Sequence, residues 1–95
     1  MPTKMTAPQV AEATSRLHDW RPNGDQSLSR TFKFSDHITA MGFVVRVAMV
    51  AEVMNHHPYL RIVYSTVDIT LSTHDAGGVT ENDIALAERI DALAG

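Results

Sequence analysis

The sequence predicts an α+β fold: a four-stranded antiparallel sheet with three helices packed on one face, in the order α-β-β-α-β-β-α. Three observations predict it. Two segments, 27–34 and 67–74, alternate apolar and polar residues with period two, so each offers one apolar face to cover. A longer segment, from about 37 to 55, repeats its apolar residues at three- and four-residue steps. The connections between strands are hairpin-sized, which implies antiparallel pairing, and amphipathic helices laid on one face would bury the sheet.

The first helix is expected over residues 8–18. Thr6 or Ala7 precedes Pro8, a residue suited to a first helical turn, and Val10, Thr14 and Leu17 fall near one face. The run Trp20-Arg21-Pro22-Asn23-Gly24-Asp25 follows, and Asn-Gly before Asp reads as the tight turn of a hairpin. The second strand, 27–34, sets Leu28, Arg30, Phe32 and Phe34 against Ser29, Thr31 and Lys33. Ser35 or Asp36 caps a helix reaching about Asn55, with Ile38, Met41, Val44, Val45, Ala48, Ala51 and Met54 as its apolar stripe. Pro58 ends it, because the residue before a proline avoids the α region.

Strands 60–64 and 67–74 then flank a short turn at Ser65-Thr66. In the latter, Val67, Ile69 and Leu71 point one way and Asp68, Thr70, Ser72 and His74 the other. Gly77-Gly78 breaks the chain. Thr80 with Asp83 three residues on forms the aspartate version of a capping box and opens a helix to about Ala92, buried along Ile84, Ala87, Ile90 and Leu93.

Ninety-five residues are read as one domain, with a core that a partner subunit would help to cover. Apolar residues make up 44% and charged residues 20%, which fits a globular chain and not a disordered one. The net charge is −3 and the eight Lys and Arg are scattered, so no basic stripe exists to track a nucleic acid, and direct binding to one is not expected. No cysteine is present, which removes disulfides, thiolate nucleophiles and cysteine zinc sites. The segment Met1-Pro2-Thr3-Lys4-Met5-Thr6 lacks the hydrophobic core of a signal peptide, and no uninterrupted apolar run long enough to span a membrane follows. The expectation is a cytoplasmic protein with no membrane partner.

Three of the five histidines lie in Glu52-Val53-Met54-Asn55-His56-His57-Pro58 and at Thr73-His74. Any one alone reads as a helix-end or loop residue. Grouped, they read as chemistry. Glu52 stands four residues before His56, so a helix reaching that far would stack the carboxylate beside the imidazole and orient the ring. Imidazoles exchange protons near neutral pH, and two or three converging ones suit an acid–base elimination. A metal site is the competing use, with His56, His57 and His74 as nitrogen donors and Glu52 or Asp75 as an oxygen donor. Adjacent histidines diverge in direction, however, and no HExxH spacing occurs, so no metal is expected. No serine sits in a nucleophile elbow.

The spaced set Glu52-xxx-His56-His57-Pro58, Tyr64 six residues later, His74 ten after that and Asp83 nine further on resembles the signature of the pterin-4a-carbinolamine dehydratases. The stretch from Val67 to His74, the aromatic strand Phe32-Lys33-Phe34, Trp20 and the segment from Gly42 to Ala48 are similar to that family too. The resemblance implies an enzyme with no metal or cofactor, which dehydrates 4a-hydroxytetrahydropterin to quinonoid dihydropterin. That carbinolamine is left when an aromatic amino acid hydroxylase uses its pterin, so a functional link to such a hydroxylase is implied. It further implies three catalytic histidines, His56 and His74 as the acid–base pair and His57 binding and orienting the pterin while assisting proton transfer. Glu52, Asp83, Thr73 and Ser72 take supporting or substrate-binding roles. A carboxylate at Asp83 also suits the first turn of a helix without any substrate. Tyr64 and Trp20 are expected in the core or pocket wall, and Arg46 in a buried or interface pair. Tyr59-Leu60 stand where relatives often carry an acidic residue and a tryptophan.

The resemblance also implies binding roles, since one relative doubles as a dimerisation cofactor for a homeodomain transcription factor and others have traded catalysis for assembly, so a non-catalytic oligomeric scaffold or dimerisation cofactor is the rival expectation. A homodimer or homotetramer is expected in either case, through a strand edge and the long helix.

Overall fold

The computed structural model describes residues 2–95. It has the expected order, with three helices and one four-stranded antiparallel sheet. Helix α1 is Ala7–Thr14, strand β1 Arg21–Asn23, β2 Ser27–Lys33, α2 His37–Met54, β3 Tyr59–Val63, β4 Thr66–Leu71 and α3 Glu81–Ala94. In space the strands run β1-β2-β4-β3, so the α2 crossover carries the chain from β2 past β4 to the far edge.

Local chemistry sets most boundaries. Thr6 and Gln9 cap α1 reciprocally, the Thr6 hydroxyl accepting from Gln9 N–H and the Gln9 amide oxygen from Thr6 N–H. The helix is shorter than the expected 8–18. After Thr14 the bonds tighten to three-residue steps, Arg16 to Ala13 and Leu17 to Thr14, and Asp19 then turns the chain at φ 59°. Gly24, at φ 56°, makes the β1–β2 turn. Asp36 caps α2 by accepting from Thr39 N–H at 2.7 Å. That bond holds its carboxyl below the ordinary 3.8.

Alternation decides the sheet faces. Leu28 and Phe32 of β2 and Val67, Ile69 and Leu71 of β4 are buried, and they pack with Val10 of α1, Phe43, Val44 and Val47 of α2 and Leu86, Ala87 and Ile90 of α3. The opposite face carries Ser29, Thr31 and Lys33, and all three helices therefore lie on one side. On the open face Asp68 ties neighbouring strands, accepting from the Thr31 hydroxyl at 2.7 Å and from Arg61 at 3.1 Å, bonds that lower its pKa. Arg30 is the charged residue on the core side of β2. Its Nη1 lies 2.6 Å from Asp91, its guanidinium stacks 4.2 Å from the Phe32 ring centroid, and Trp20 Nε1 donates to the same carboxylate. Trp20 is thus a core residue, as expected.

The stripe expected on α2 needs correction. The residues that face the sheet are Ala40, Phe43, Val44, Val47 and Ala51, while Ile38 and Val45 are exposed. The helix is apolar nearly all round, and by length and composition alone it could cross a bilayer. Here it buries one face on the sheet. Its other face presents Ile38, Val45, Met49 and Val53, with Ile38 at 84% and Val53 at 82% exposure. Arg46 is exposed on this helix, not buried. Tyr64 is also outside the core, 68% exposed, at φ 53° in the β3–β4 turn with its ring stacked on His37.

Candidate functional site

The end of α2 decides where the histidines go. Asn55 adopts the left-handed conformation, φ 51° and ψ 43°, and His56 N–H then bonds back to Ala51 O at 3.0 Å. Helical register is lost at Asn55, so the expected pairing of Glu52 with His56 does not form. Glu52 Oε1 instead lies 2.7 Å from His57 Nε2. Both side chains are exposed, and such a pair is weak and readily rearranged.

His56 turns inward. Its Nε2 stands 2.6 Å from Asp83 Oδ1, with the His56 side chain 11% exposed and Asp83 fully buried. Asp83 Oδ2 accepts from Thr80 N–H at 2.9 Å and from the Thr73 hydroxyl at 2.8 Å. The two carboxylate oxygens are thus used differently, Oδ2 closing the cap of α3 while Oδ1 meets the imidazole. The capping role expected for Asp83 is present, and the same carboxylate also contacts His56. Thr73 is buried and serves Asp83. Thr80, seen in the sequence only as a helix cap, belongs to the same cluster, its Oγ1 being 2.6 Å from Thr73 Oγ1.

His74 opens a single 3-10 turn, His74–Ala76, and is not the last residue of β4. The loop behind it is closely tied. Thr73 and Gly78 form an isolated bridge, and Val79 N–H donates to Asp25 O at 2.9 Å. A Cβ at Gly78 would collide with that Asp25 oxygen, so the close approach demands glycine. Ser72 donates its hydroxyl to Gln26 O at 2.7 Å, fastening the same corner to the β1–β2 turn.

A groove of about 340 Å³ lies across the ends of β3 and β4, lined by His57, Pro58, Tyr59, Thr70, Ser72 and His74. That size falls within the roughly 300–1,000 Å³ of small-molecule sites. His57 and His74 therefore share one cavity, and Ser72 lines it. His56 and Glu52 do not line it; His56 sits behind, anchored to Asp83. A larger hollow of about 550 Å³ beside the N-terminal segment contains no histidine, so the imidazoles mark the smaller groove as the candidate site. Among the described residues no three His, Asp or Glu side chains converge in a metal-binding arrangement. The chemistry available is proton transfer: two imidazoles at a partly apolar groove, and a third held by a buried carboxylate.

Comparison with known proteins agrees with this fold. A family model described as Pterin 4 alpha carbinolamine dehydratase matches residues 3–93. A Bradyrhizobium sp. (strain BTAi1) protein, provisionally named a pterin-4-alpha-carbinolamine dehydratase, is 48% identical, the match covering 99% of this chain and 96% of the relative. The crystal structure of a transcriptional coactivator/pterin dehydratase from Brucella melitensis superposes with a TM-score of 0.92 at 40% identity, covering 98% of this chain and 100% of that one. A pterin dehydratase-like protein described as a RuBisCO assembly factor in the alpha-carboxysome superposes at 0.69 with 31% identity, over 82% and 92%. The fold is that of a small α+β protein of the pterin dehydratase type. The chain belongs to the pterin-4-alpha-carbinolamine dehydratase family.

Proposed function

We propose that the protein is a working dehydratase that converts 4a-hydroxytetrahydropterin to quinonoid dihydropterin with histidine side chains and no cofactor. The observation that supports this reading is that His57 and His74 line one groove while His56 is bonded to fully buried Asp83. In the reaction a protonated imidazole gives its proton to the C4a hydroxyl. The C4a–O bond breaks and water leaves. The adjacent ring nitrogen supplies the electron pair for the new C=N bond, and its own proton passes to a neutral imidazole. His56 and His74 form this acid–base pair, and His57 orients the ring. Glu52 supports His57, Asp83 supports His56, and Ser72 lies along the groove. Acid–base assistance of this kind contributes about 10²–10⁴-fold, enough for a hydroxyl already activated by its neighbouring nitrogen.

The test is dehydration of chemically generated carbinolamine. Wild-type protein should accelerate it over buffer, and His56→Ala and His74→Ala should each lose most of that rate while remaining folded. No acceleration by the wild type would overturn the reading.

One observation favours a second reading, an assembly role without catalysis: a structural neighbour is described as an assembly factor. The exposed face of α2 and the exposed Tyr59, Val63 and Tyr64 along the β3 edge support self-association under both readings. A homodimer or homotetramer built on these surfaces is part of the proposal.

A further inference from the structure

The hydrogen bonds around Asp83 have assignable directions. Thr80 N–H can only donate, and it meets Oδ2 at 2.9 Å. The Thr73 hydroxyl donates to the same oxygen at 2.8 Å. A hydroxyl carries one hydrogen, so Thr73 must accept in its 2.6 Å contact with Thr80, and Thr80 Oγ1 is the donor there. Thr80 Oγ1 accepts in turn from Asn82 N–H at 3.3 Å. The chain therefore runs from Asn82 N–H through Thr80 and Thr73 to Asp83, every bond pointing at the carboxyl group.

Two donors on Oδ2 leave no place for a proton there, and Oδ1 is the oxygen that faces His56. An imidazole carrying its hydrogen on Nε2 donates to that oxygen across the 2.6 Å contact. Its other nitrogen, Nδ1, has no hydrogen-bond partner among the described residues. The buried side-chain nitrogen without a partner is Arg30 Nε, so His56 Nδ1 reaches solvent.

We propose that Thr73 and Thr80 are positioning residues that act through Asp83 to hold neutral His56 as its Nε2–H tautomer, which makes Nδ1 the nitrogen that exchanges a proton with substrate. The part concerning substrate rests on the dehydratase reading; the tautomer does not. One nitrogen then serves both directions of transfer, accepting as neutral Nδ1 and donating as Nδ1–H once charged. Capping alone does not account for the arrangement. The cap of α3 is complete at Oδ2, whereas Thr73 lies outside α3 and Oδ1 is given to an imidazole 27 residues away in the chain.

Thr73→Val tests this, since it removes the hydroxyl at nearly constant volume and leaves the Thr80 cap in place. Thr73→Ser is the conservative control. Nitrogen–proton correlation spectra of the full chain would be recorded about two units above the reference imidazole pKa of about 6.5. Wild-type His56 should show the Nε2–H pattern. Thr73→Val should mix in the Nδ1–H form and lower kcat about tenfold with KM unchanged, part of the roughly 10²–10⁴-fold a placed acid–base group supplies. Thr73→Ser should restore both. A wild-type His56 found as the Nδ1–H form or as a free mixture overturns the proposal, as does a Thr73→Val protein with unaltered spectrum and kcat. A locked tautomer in a wild type that does not dehydrate the carbinolamine keeps the positioning chain and removes the dehydratase reading. A free tautomer in an active enzyme does the reverse.

Discussion

Replacing Asp83 by asparagine changes one atom and should change which nitrogen of His56 carries the hydrogen. The amide oxygen can keep the Thr73 hydroxyl and Thr80 N–H that Oδ2 now accepts, which puts the NH2 group opposite His56 Nε2. Two N–H groups cannot face each other at 2.6 Å, so the ring must take its Nδ1–H form. Bonds to a charged acceptor are worth about 1.5–3 kcal/mol and neutral ones about 0.5–1.5, so weakening three of them costs about 3–4 kcal/mol. For a domain of this size that lowers Tm by about 12–32 °C, so the assay is run below the variant's own melting transition. With the proposed acid–base nitrogen blocked, kcat should fall by about 10²–10⁴ while KM changes little. The assay is rapid-mixing dehydration of the carbinolamine, with a melting curve on the same sample. A folded Asp83→Asn protein whose kcat stays within about threefold of wild type would refute the reasoning, because His56 would then not depend on the carboxylate.

Other consequences can be measured separately. Because Thr39 N–H holds the Asp36 carboxyl below 3.8 in the fold, its contribution to stability is complete above 3.8 and is lost as pH falls through the folded value. Asp36→Asn still caps α2 but does not titrate, so its urea midpoint should fall less steeply with acid than that of wild type; parallel curves would contradict this. Met49→Lys or Val53→Lys, placed on the uncovered face of α2, should reduce the assembled mass seen by light scattering, and a monomeric wild type would count against association through that face. Gly78→Ala forces a methyl group against the Asp25 carbonyl, which is held by Val79 N–H. It should destabilise the protein by about 1–3 kcal/mol and impair turnover by displacing the His74 turn, and an unchanged melting curve would show that the loop can yield.

Much of the fold is legible in the sequence because its signals are local. Alternation in β2 and β4, the Asn23-Gly24 turn and the Thr80–Asp83 cap each name an element without reference to the rest of the chain. The face of α2 is not legible, since a helix apolar on most sides has no periodicity that selects Phe43 and Val47 over Ile38 and Val45. The partner of Glu52 differs from expectation for another reason. An i,i+4 relation holds only while the helix lasts, and Asn55 in the left-handed region ends it one residue before His56. Thr80 reads in the sequence as a cap and not as part of the site, because its link to His56 passes through Thr73 and Asp83, residues brought together only by folding. The Arg30–Asp91–Trp20 cluster is hidden for the same reason, Asp91 lying 61 residues from Arg30 and 71 from Trp20.

The structure of the protein crystallised with a dihydropterin probes the central claim most directly. The bicyclic ring should occupy the groove between His57 and His74, its reacting edge within hydrogen-bond reach of His74 and of the free Nδ1 of His56. A ring bound elsewhere, or a groove in which neither His74 nor His56 approaches it, would contradict the account.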